Sequence, residues 1–348
     1  MARPTVGLCG AGTIAAVHAT CTVELGLPSV AVASRTAQRA GHMAATFGAE
    51  AVTYDQLAGK TDLVVVATPP HRHAADALRF LDAGAAVLLE KPMCRTLVEA
   101  DALVAAAAAH PGRLLYAENL AYAPVVQQAV SMVPRLGRLT HVEVRALQAL
   151  PTWGGFTSDE WGGGALFDLG VHPLAVALLA TNAAGLGRPL AVSARMKGGA
   201  GHNSDEHAEV WLHHRRGVVS HVVASWKHPD GPTWDAQVSG EHGVVRADLQ
   251  PSIALEWNGE PVHVARRAAR VASLDALGLA DLGYVGQLAD LADCWRTGSQ
   301  PLMTAAFGRE VLQVVMAAYA SAGRDGVEVA LPYTGQRDLT PLQTLHGG

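Results

Sequence analysis

Clustered cations, paired cysteines and membrane-length apolar runs are all lacking in this 348-residue sequence. Its 26 Lys and Arg against 31 Asp and Glu leave a formal net charge of -5, and the basic residues are scattered. That argues against nucleic acid or anionic membrane as the main partner, since both are held by concentrated positive charge. The four cysteines, Cys9, Cys21, Cys94 and Cys294, show no C-x-x-C or other metal-ligand spacing. They read as reduced thiols, with Cys94 a small packed residue rather than a nucleophile. No apolar run reaches the roughly 20 residues needed to cross a bilayer, and no basic segment with an apolar stretch precedes the first strand. The expected location is therefore cytoplasmic. What is present is 49% hydrophobic and 16% charged residues, enough for a soluble chain of two domains with ample core. Internal repeats and low-complexity linkers are missing too, so the domain join, expected near Tyr122, should be compact.

The most informative stretch comes first. An apolar strand, Thr5 to Cys9, runs into Gly10-x-Gly12-x-x-Ala15 and then into a helical pattern through Thr13 and Ile14. Gly10 allows a sharp turn, Gly12 allows the backbone to approach a pyrophosphate, and Ala15 lets the helix pack closely on the sheet. An anion would sit on the free amides and positive dipole end of that helix. A tight turn with no ligand satisfies the same pattern, so the following strands must decide.

The next apolar run, Ser29 to Ala33, ends in Ser34-Arg35, with Arg39 one helical turn later. An Asp or Glu usually closes this strand in NAD-specific folds and would repel a 2′-phosphate. A hydroxyl and guanidinium in its place point to NADP, with NAD still possible. Arg35 as a solvated residue at a helix start is the other reading. The β-branched run Asp62 to Ala67 is that of a strand buried on both faces. It delivers Thr68-Pro69-Pro70-His71-Arg72-His73 to the carboxyl edge of the sheet, where doubly wound folds bind ligands, so Thr68, Pro69 and His73 are expected to face the cofactor. A further strand, Ala85 to Leu89, ends in Glu90-Lys91-Pro92, an acid and a lysine poorly explained by packing. A structural ion pair is the alternative.

The Gly10 loop, Ala67-Thr68-Pro69-Pro70 with His73, and Glu90-Lys91-Pro92, in this order, resemble the glucose-fructose oxidoreductase/inositol dehydrogenase/MocA (Gfo/Idh/MocA) family of pyridine-nucleotide oxidoreductases. The resemblance extends to Gly162-Gly163-Gly164-Ala165-Leu166-Phe167-Asp168-Leu169-Gly170-Val171-His172, which is similar to the family's second signature. It implies that Lys91, Asp168 and His172 surround the substrate carbon facing the nicotinamide. Members commonly carry an acid three residues after the histidine; this chain has Ala175, which puts a substrate contact from that position in doubt. The chemistry is consistent with the same assignment. Hydride leaves or reaches a carbinol carbon while its hydroxyl proton moves to a base, and His172 can serve near neutral pH. Asp168, four residues earlier, shares a side with it if the segment is helical, although Gly170 and Pro173 weaken that geometry. It would orient the imidazole or bind a substrate hydroxyl. Lys91 would stabilise alkoxide character.

A helix over 97–109 and a strand over 113–117 close the first domain, with Glu118-Asn119 at the crossover and Asn119 expected near the nicotinamide. A helix over 125–133 follows, and then the pattern changes. Residues 141–148 and 234–238 alternate strictly, and 192–197, 206–213, 218–226, 244–249 and 253–257 add similar strands with Gly-rich turns. The fold class is therefore an α/β N-terminal Rossmann domain, residues 1–121, plus an α+β C-terminal domain, residues 122–348, with a large open, mainly antiparallel sheet. The sheet's outer face, if apolar enough, would be the surface of a homodimer or homotetramer, as the family resemblance also implies. The loop from Leu150 to Gly164 is the expected substrate side, where Trp153, Phe156 and Trp161 either stack on a sugar or anchor the loop. His202, Asp205 and His207 have the residue types of a metal site, but the remaining ligands are not identifiable and a solvated hairpin end is expected instead. Helices over 284–296 and 303–322, a strand over 327–331 and a polar tail complete the chain. The function expected is an NADP-preferring oxidoreductase of a sugar, cyclitol or related polyhydroxylated or carbonyl compound. Alternatives are a redox-neutral enzyme that retains its nucleotide and cleaves or epimerises by transient oxidation, and a non-catalytic NADP sensor.

Overall fold

A parallel sheet and a mixed sheet organise two separate compact units in the computed structural model, which describes residues 3–265, 271 and 278–347. In the first unit β1 (Val6–Cys9), α1 (Thr13–Leu25), β2 (Ser29–Ala33), α2 (Ala37–Phe47), β3 (Glu50–Val52), α3 (Tyr54–Ala58), β4 (Leu63–Val66), α4 (Pro70–Asp82), β5 (Ala86–Glu90), α5 (Leu97–Ala109) and β6 (Leu114–Ala117) alternate. The strands lie in the order β3-β2-β1-β4-β5-β6 and all pair in parallel. Leu63 to Val66 are fully buried, as befits strands with helices on both faces. The strand order reverses direction at β1 and β4, and the Gly10 turn and Ala67 follow these two strands at their shared carboxyl edge.

The second unit contains α6 (Pro124–Met132), β7 (Leu139–Leu147), α7 (Ala165–Asp168), α8 (Val171–Ala183), β8 (Ala191–Gly198), β9 (Asp205–His213), β10 (Val219–Ser225), β11 (Thr233–Gly240), β12 (Gly243–Gln250), β13 (Ala254–Trp257) and β14 (Glu260–Pro261). The chain then forms α9 (Tyr284–Thr297), α10 (Ala305–Ala322), β15 (Val329–Ala330) and α11 (Pro341–Leu345). Among the described residues the larger sheet runs β14-β13-β12-β11-β7-β10-β9-β8-β15. It is antiparallel except at its middle, where β7 and β10 pair in parallel. Alternation does the rest: Val142, Val144, Ala146, Ala208, Val210 and Leu212 are buried, and α8, apolar all round, packs on β7 and β10.

One expectation needs correction here. The first unit is not a single segment ending at 121; it runs on to Ala123 and takes back α9, which packs on α1 and against β5 and β6. The cause is the apolar character of α1, with Ala15, His18, Ala19, Cys21 and Thr22 buried, which needs covering beyond what the sheet supplies. Tyr122 Oη donates to Asp290 Oδ2 at 2.7 Å and so ties the end of the first stretch to α9. The outer face of the larger sheet carries paired charges across β7, β9, β10 and β11. His221 lies 3.3 Å from Glu143 and 3.4 Å from Glu209, His207 lies 3.3 Å from Glu209, and Arg145 clasps Asp235 at 2.9 and 2.6 Å. Trp211 stacks flat on His221, with centroids 5.2 Å apart.

Candidate active site

The nucleotide loop is shaped by its glycines. Gly10 has φ +121°, and a Cβ there would stand 2.5 Å from the Ala67 carbonyl oxygen, so the two loop tips meet closely only because this residue has no side chain. Gly12 begins α1 with no side chain capping the helix, and a Cβ on it would meet no atom within 4 Å. Thr13 is exposed and Ile14 half-buried in the first turn. Uncapped amides beside open backbone fit the pyrophosphate of a dinucleotide. Beyond β2, Ser34 is half-buried and Arg35 and Arg39 are exposed. Burial raises the Tyr54 pKa, against a smaller lowering from the Arg35 backbone and Arg72. Arg72, singled out by no sequence argument, lies 5.8 Å above the Tyr54 ring and is paired with Asp76 at 2.8 Å. Its signal was its place in the Thr68–His73 stretch after β4, where it falls in the first turn of α4.

Several of the expected cofactor contacts have partners within the protein. His73 is 1% exposed, with Nδ1 2.8 Å from the Pro92 carbonyl oxygen and Nε2 2.6 Å from that of Thr68, so it braces two loops rather than facing a nucleotide. Burial lowers its pKa, against the pull of those two carbonyls. The Thr68 hydroxyl donates to Asp76 at 2.9 Å, and Pro69 is the N-cap of α4. Asn119 is buried and donates from Nδ2 to the Leu282 carbonyl at 2.7 Å. Glu90, 4% exposed, has Oε1 2.6 Å from His18 Nε2, while Oε2 accepts the Lys91 backbone N–H at 3.0 Å. Burial raises the Glu90 pKa, but His18 and Lys91 outweigh it and hold the carboxyl below the ordinary value. His18 escaped the sequence reading; a histidine on an otherwise apolar helix was the available signal. Lys91 itself is half-buried and follows β5 at the same carboxyl edge as the Gly10 loop, before a cis Pro92.

In the second unit the glycine-rich signature has a steric explanation. A Cβ on Gly163 would stand 2.3 Å from Phe167 Cβ, one on Gly164 2.3 Å from both Asp205 O and Oδ1, and one on Gly170 2.7 Å from the Leu166 carbonyl oxygen. Leu169 and Gly170 both keep right-handed helical angles, so the backbone continues almost helically from α7 into α8 and brings Asp168 and His172 one turn apart. Pro173 sits in the first turn of α8, where a missing N–H costs nothing. Asp168 and His172 are 7% and 4% exposed. The turn is clamped from outside: Asp205 Oδ2 accepts the Leu166 N–H at 2.9 Å, Oδ1 accepts the Tyr319 hydroxyl at 2.5 Å, and Tyr319 Oη accepts the Gly164 N–H at 3.2 Å. Burial pushes the Asp205 and Tyr319 pKa values up.

The expected solvated hairpin at 202–207 is thereby corrected, because Asp205 and Ser204 are buried and His202 is held by Ser204 at 2.8 Å and Glu206 at 3.0 Å. Trp234 on β11 lies over the His172 ring, with centroids 5.6 Å apart and a 31° tilt. It packs, as does Phe156, on a buried cluster of Ala146, Ala165, Leu169 and Trp226. In the loop after β7, Phe156 meets Trp153 edge-on at 4.8 Å and Trp161 at 4.9 Å. Trp161 is half-buried, while Trp153 is 50% exposed.

Residues 5–118 match the model of the oxidoreductase family with an NAD-binding Rossmann fold, and residues 127–246 match that of the GFO/IDH/MocA C-terminal domain. The chain belongs to the Gfo/Idh/MocA family of oxidoreductases. It is 29% identical over 298 residues, 79% of this chain and 82% of the other, to a proposed UDP-kanosamine synthase oxidoreductase subunit of Amycolatopsis mediterranei. A D-glucoside 3-dehydrogenase of Escherichia coli is 35% identical over 185 residues, 50% of this chain and 52% of its own. Among solved structures, GenD2 from gentamicin A biosynthesis, in complex with NAD, is 26% identical with a TM-score of 0.81, covering 95% of this chain and 97% of that one. The chain is thus an oxidoreductase with an NAD-binding fold, from a family whose named members act on sugar hydroxyl groups. No helix among the described residues is long and apolar enough to cross a membrane.

Proposed function

We propose that the protein is an NADP-preferring oxidoreductase of a sugar or related polyhydroxylated molecule, and that C3 of a pyranose is the reacting carbon. One observation carries the reading: the Gly10–Gly12 loop and Lys91 stand at the same carboxyl edge of one parallel sheet. The 3-dehydrogenase activity named for the Escherichia coli relative supports C3. NADP rests on Ser34, Arg35 and Arg39 standing where an acid would exclude a 2′-phosphate, with Arg72 near the same strand end.

When bound, the nicotinamide supplies the hydride acceptor or donor. Gly10, Gly12, Thr13 and Ile14 hold its pyrophosphate on backbone amides. The Lys91 ammonium holds the substrate oxygen and stabilises its alkoxide character. His172 exchanges the hydroxyl proton, and Asp168, one helical turn away, orients the imidazole or holds a neighbouring hydroxyl. Burial of both groups keeps the proton from escaping to bulk water.

Fluorescence titration of the purified protein with NADPH and NADH, followed by an absorbance screen of hexoses and glycosides with product analysis for the 3-keto sugar, tests the proposal. Tighter NADPH binding and nicotinamide turnover with a pyranose are expected. Equal nucleotide affinities would remove the NADP assignment. Rearrangement or cleavage of sugar without net absorbance change, with nucleotide retained through purification, would instead establish the redox-neutral activity.

A further inference from the structure

The loop between β7 and α7 holds a tryptophan half in solvent, edge-on to Phe156, which packs on the same buried cluster as the Trp234 that covers His172. We propose that Trp153 is a stacking platform for a second, uncharged ring of the substrate, so that the preferred substrate is a glycoside rather than a free monosaccharide or a nucleotide sugar. The proposal rests on the sugar reading above and deepens it.

Two sets of ring contacts share one packed base. Trp234 covers His172, Trp234 and Phe156 pack on the same buried cluster, and Phe156 meets Trp153 and Trp161 edge-on. A ring bound beside His172 therefore has an aromatic wall leading away from it. Within that wall the residues differ in exposure: Phe156 and Trp161 are packed anchors, whereas half of Trp153 is left open. The loop that carries it is held in one shape. Gly154 has φ +81°, and side chains on Gly154 or Gly155 would strike Phe156 or the Trp161 indole at 2.8 and 2.9 Å. Ser158 N and Oγ both donate to the Gly155 carbonyl, at 2.9 and 2.7 Å, and Arg95 donates to the Glu160 carbonyl at 3.1 Å.

Charge decides what the platform takes. Residues 148–164 include Asp159 and Glu160 and no Lys or Arg. A diphosphate lying along this loop would meet two carboxylates and one neighbouring cation, Arg95, which is already engaged with the Glu160 carbonyl, whereas the C–H face of a neutral ring stacks on an indole without needing a countercharge.

The experiment uses the full-length protein loaded with reduced nucleotide. Calorimetric titration compares methyl glucoside, the disaccharides maltose and cellobiose, and UDP-glucose, in wild type and in Trp153→Ala and Trp153→Phe. One disaccharide should bind about tenfold more tightly than methyl glucoside, the gain of one good stacking contact. Trp153→Ala should erase that margin and leave methyl glucoside within about twofold, while Trp153→Phe retains most of it. Equal affinities for one- and two-ring ligands, tightest binding of UDP-glucose, equal weakening of all ligands in Trp153→Ala, or no sugar binding would each overturn the proposal. Failure of the underlying oxidoreductase reading looks different: the binding margin persists, but no sugar changes nicotinamide absorbance.

Discussion

Replacing Tyr319 with Phe removes one oxygen atom from the clamp around α7, and the structure lets its effect be worked out. The hydroxyl donates to Asp205 Oδ1 at 2.5 Å and accepts the Gly164 N–H at 3.2 Å. Tyr319 and Asp205 are 0% and 1% exposed, so no bulk water replaces the lost group. A buried hydrogen bond to a carboxyl group contributes about 1.5–3 kcal/mol, and the partners left behind lose their pairing, so the total loss is about 3 kcal/mol. Against a stability of roughly 5–15 kcal/mol that is large. Chemical denaturation should show it directly. The second effect is on catalysis, because Asp168 belongs to α7 and His172 follows within one turn. At a temperature where the variant is folded, kcat should fall about tenfold or more, while the Kd for NADPH, held in the other unit, stays within about twofold. A Tyr319→Phe protein with a loss below about 0.5 kcal/mol and unchanged kcat would refute the account of the clamp.

Arg35→Ala should weaken NADPH binding by about tenfold or more with little change for NADH, read by the same fluorescence titration; parallel losses would contradict a 2′-phosphate contact. Lys91→Ala and His172→Ala should each lower kcat by about 100-fold or more while the nucleotide Kd changes little, and full turnover in either would remove that residue from the chemical step. The Glu90 carboxyl is held below its ordinary value, so its contribution to stability is complete above the ordinary carboxylate range and is lost as pH falls through the lowered value. Glu90→Gln, which cannot ionise, should therefore flatten the acid side of the stability–pH curve; an unchanged acid limb in urea titrations would count against the His18–Glu90 pairing.

The first sheet was legible because parallel strands covered on both faces must be apolar throughout, and Leu63–Val66 and Ala86–Leu89 have that form. Short pieces were not: β3 and α3 have too few residues to show a period. The alternation of 141–148 and 234–238 located β7 and β11, but the parallel pairing of β7 with β10 depends on partners that periodicity does not specify. At the candidate site, the resemblance of the Glu90-Lys91-Pro92 and Gly162–His172 motifs to the family's signatures pointed to Lys91, Asp168 and His172, and the residue types suited the chemistry. These signals could not separate groups that face a ligand from groups that brace the loops, which is why His73 and Asn119 were read outward. Whether a buried polar side chain has an internal partner is a property of the folded chain; His18 with Glu90 and Tyr319 with Asp205 become visible only when segments 72 and 114 residues apart meet.

The return of α9 to the first unit has a consequence for how the protein is made. On the ribosome the six parallel strands and α1 emerge early, but the helix that covers α1 emerges only after β7 to β14 have been synthesised. The nascent Rossmann sheet therefore waits with an apolar helix face uncovered, a surface of the kind that chaperones bind and that aggregates when left open. A fragment ending at Ala123 would carry that same open face permanently, so the minimal autonomous nucleotide-binding piece of this chain is not a prefix of it.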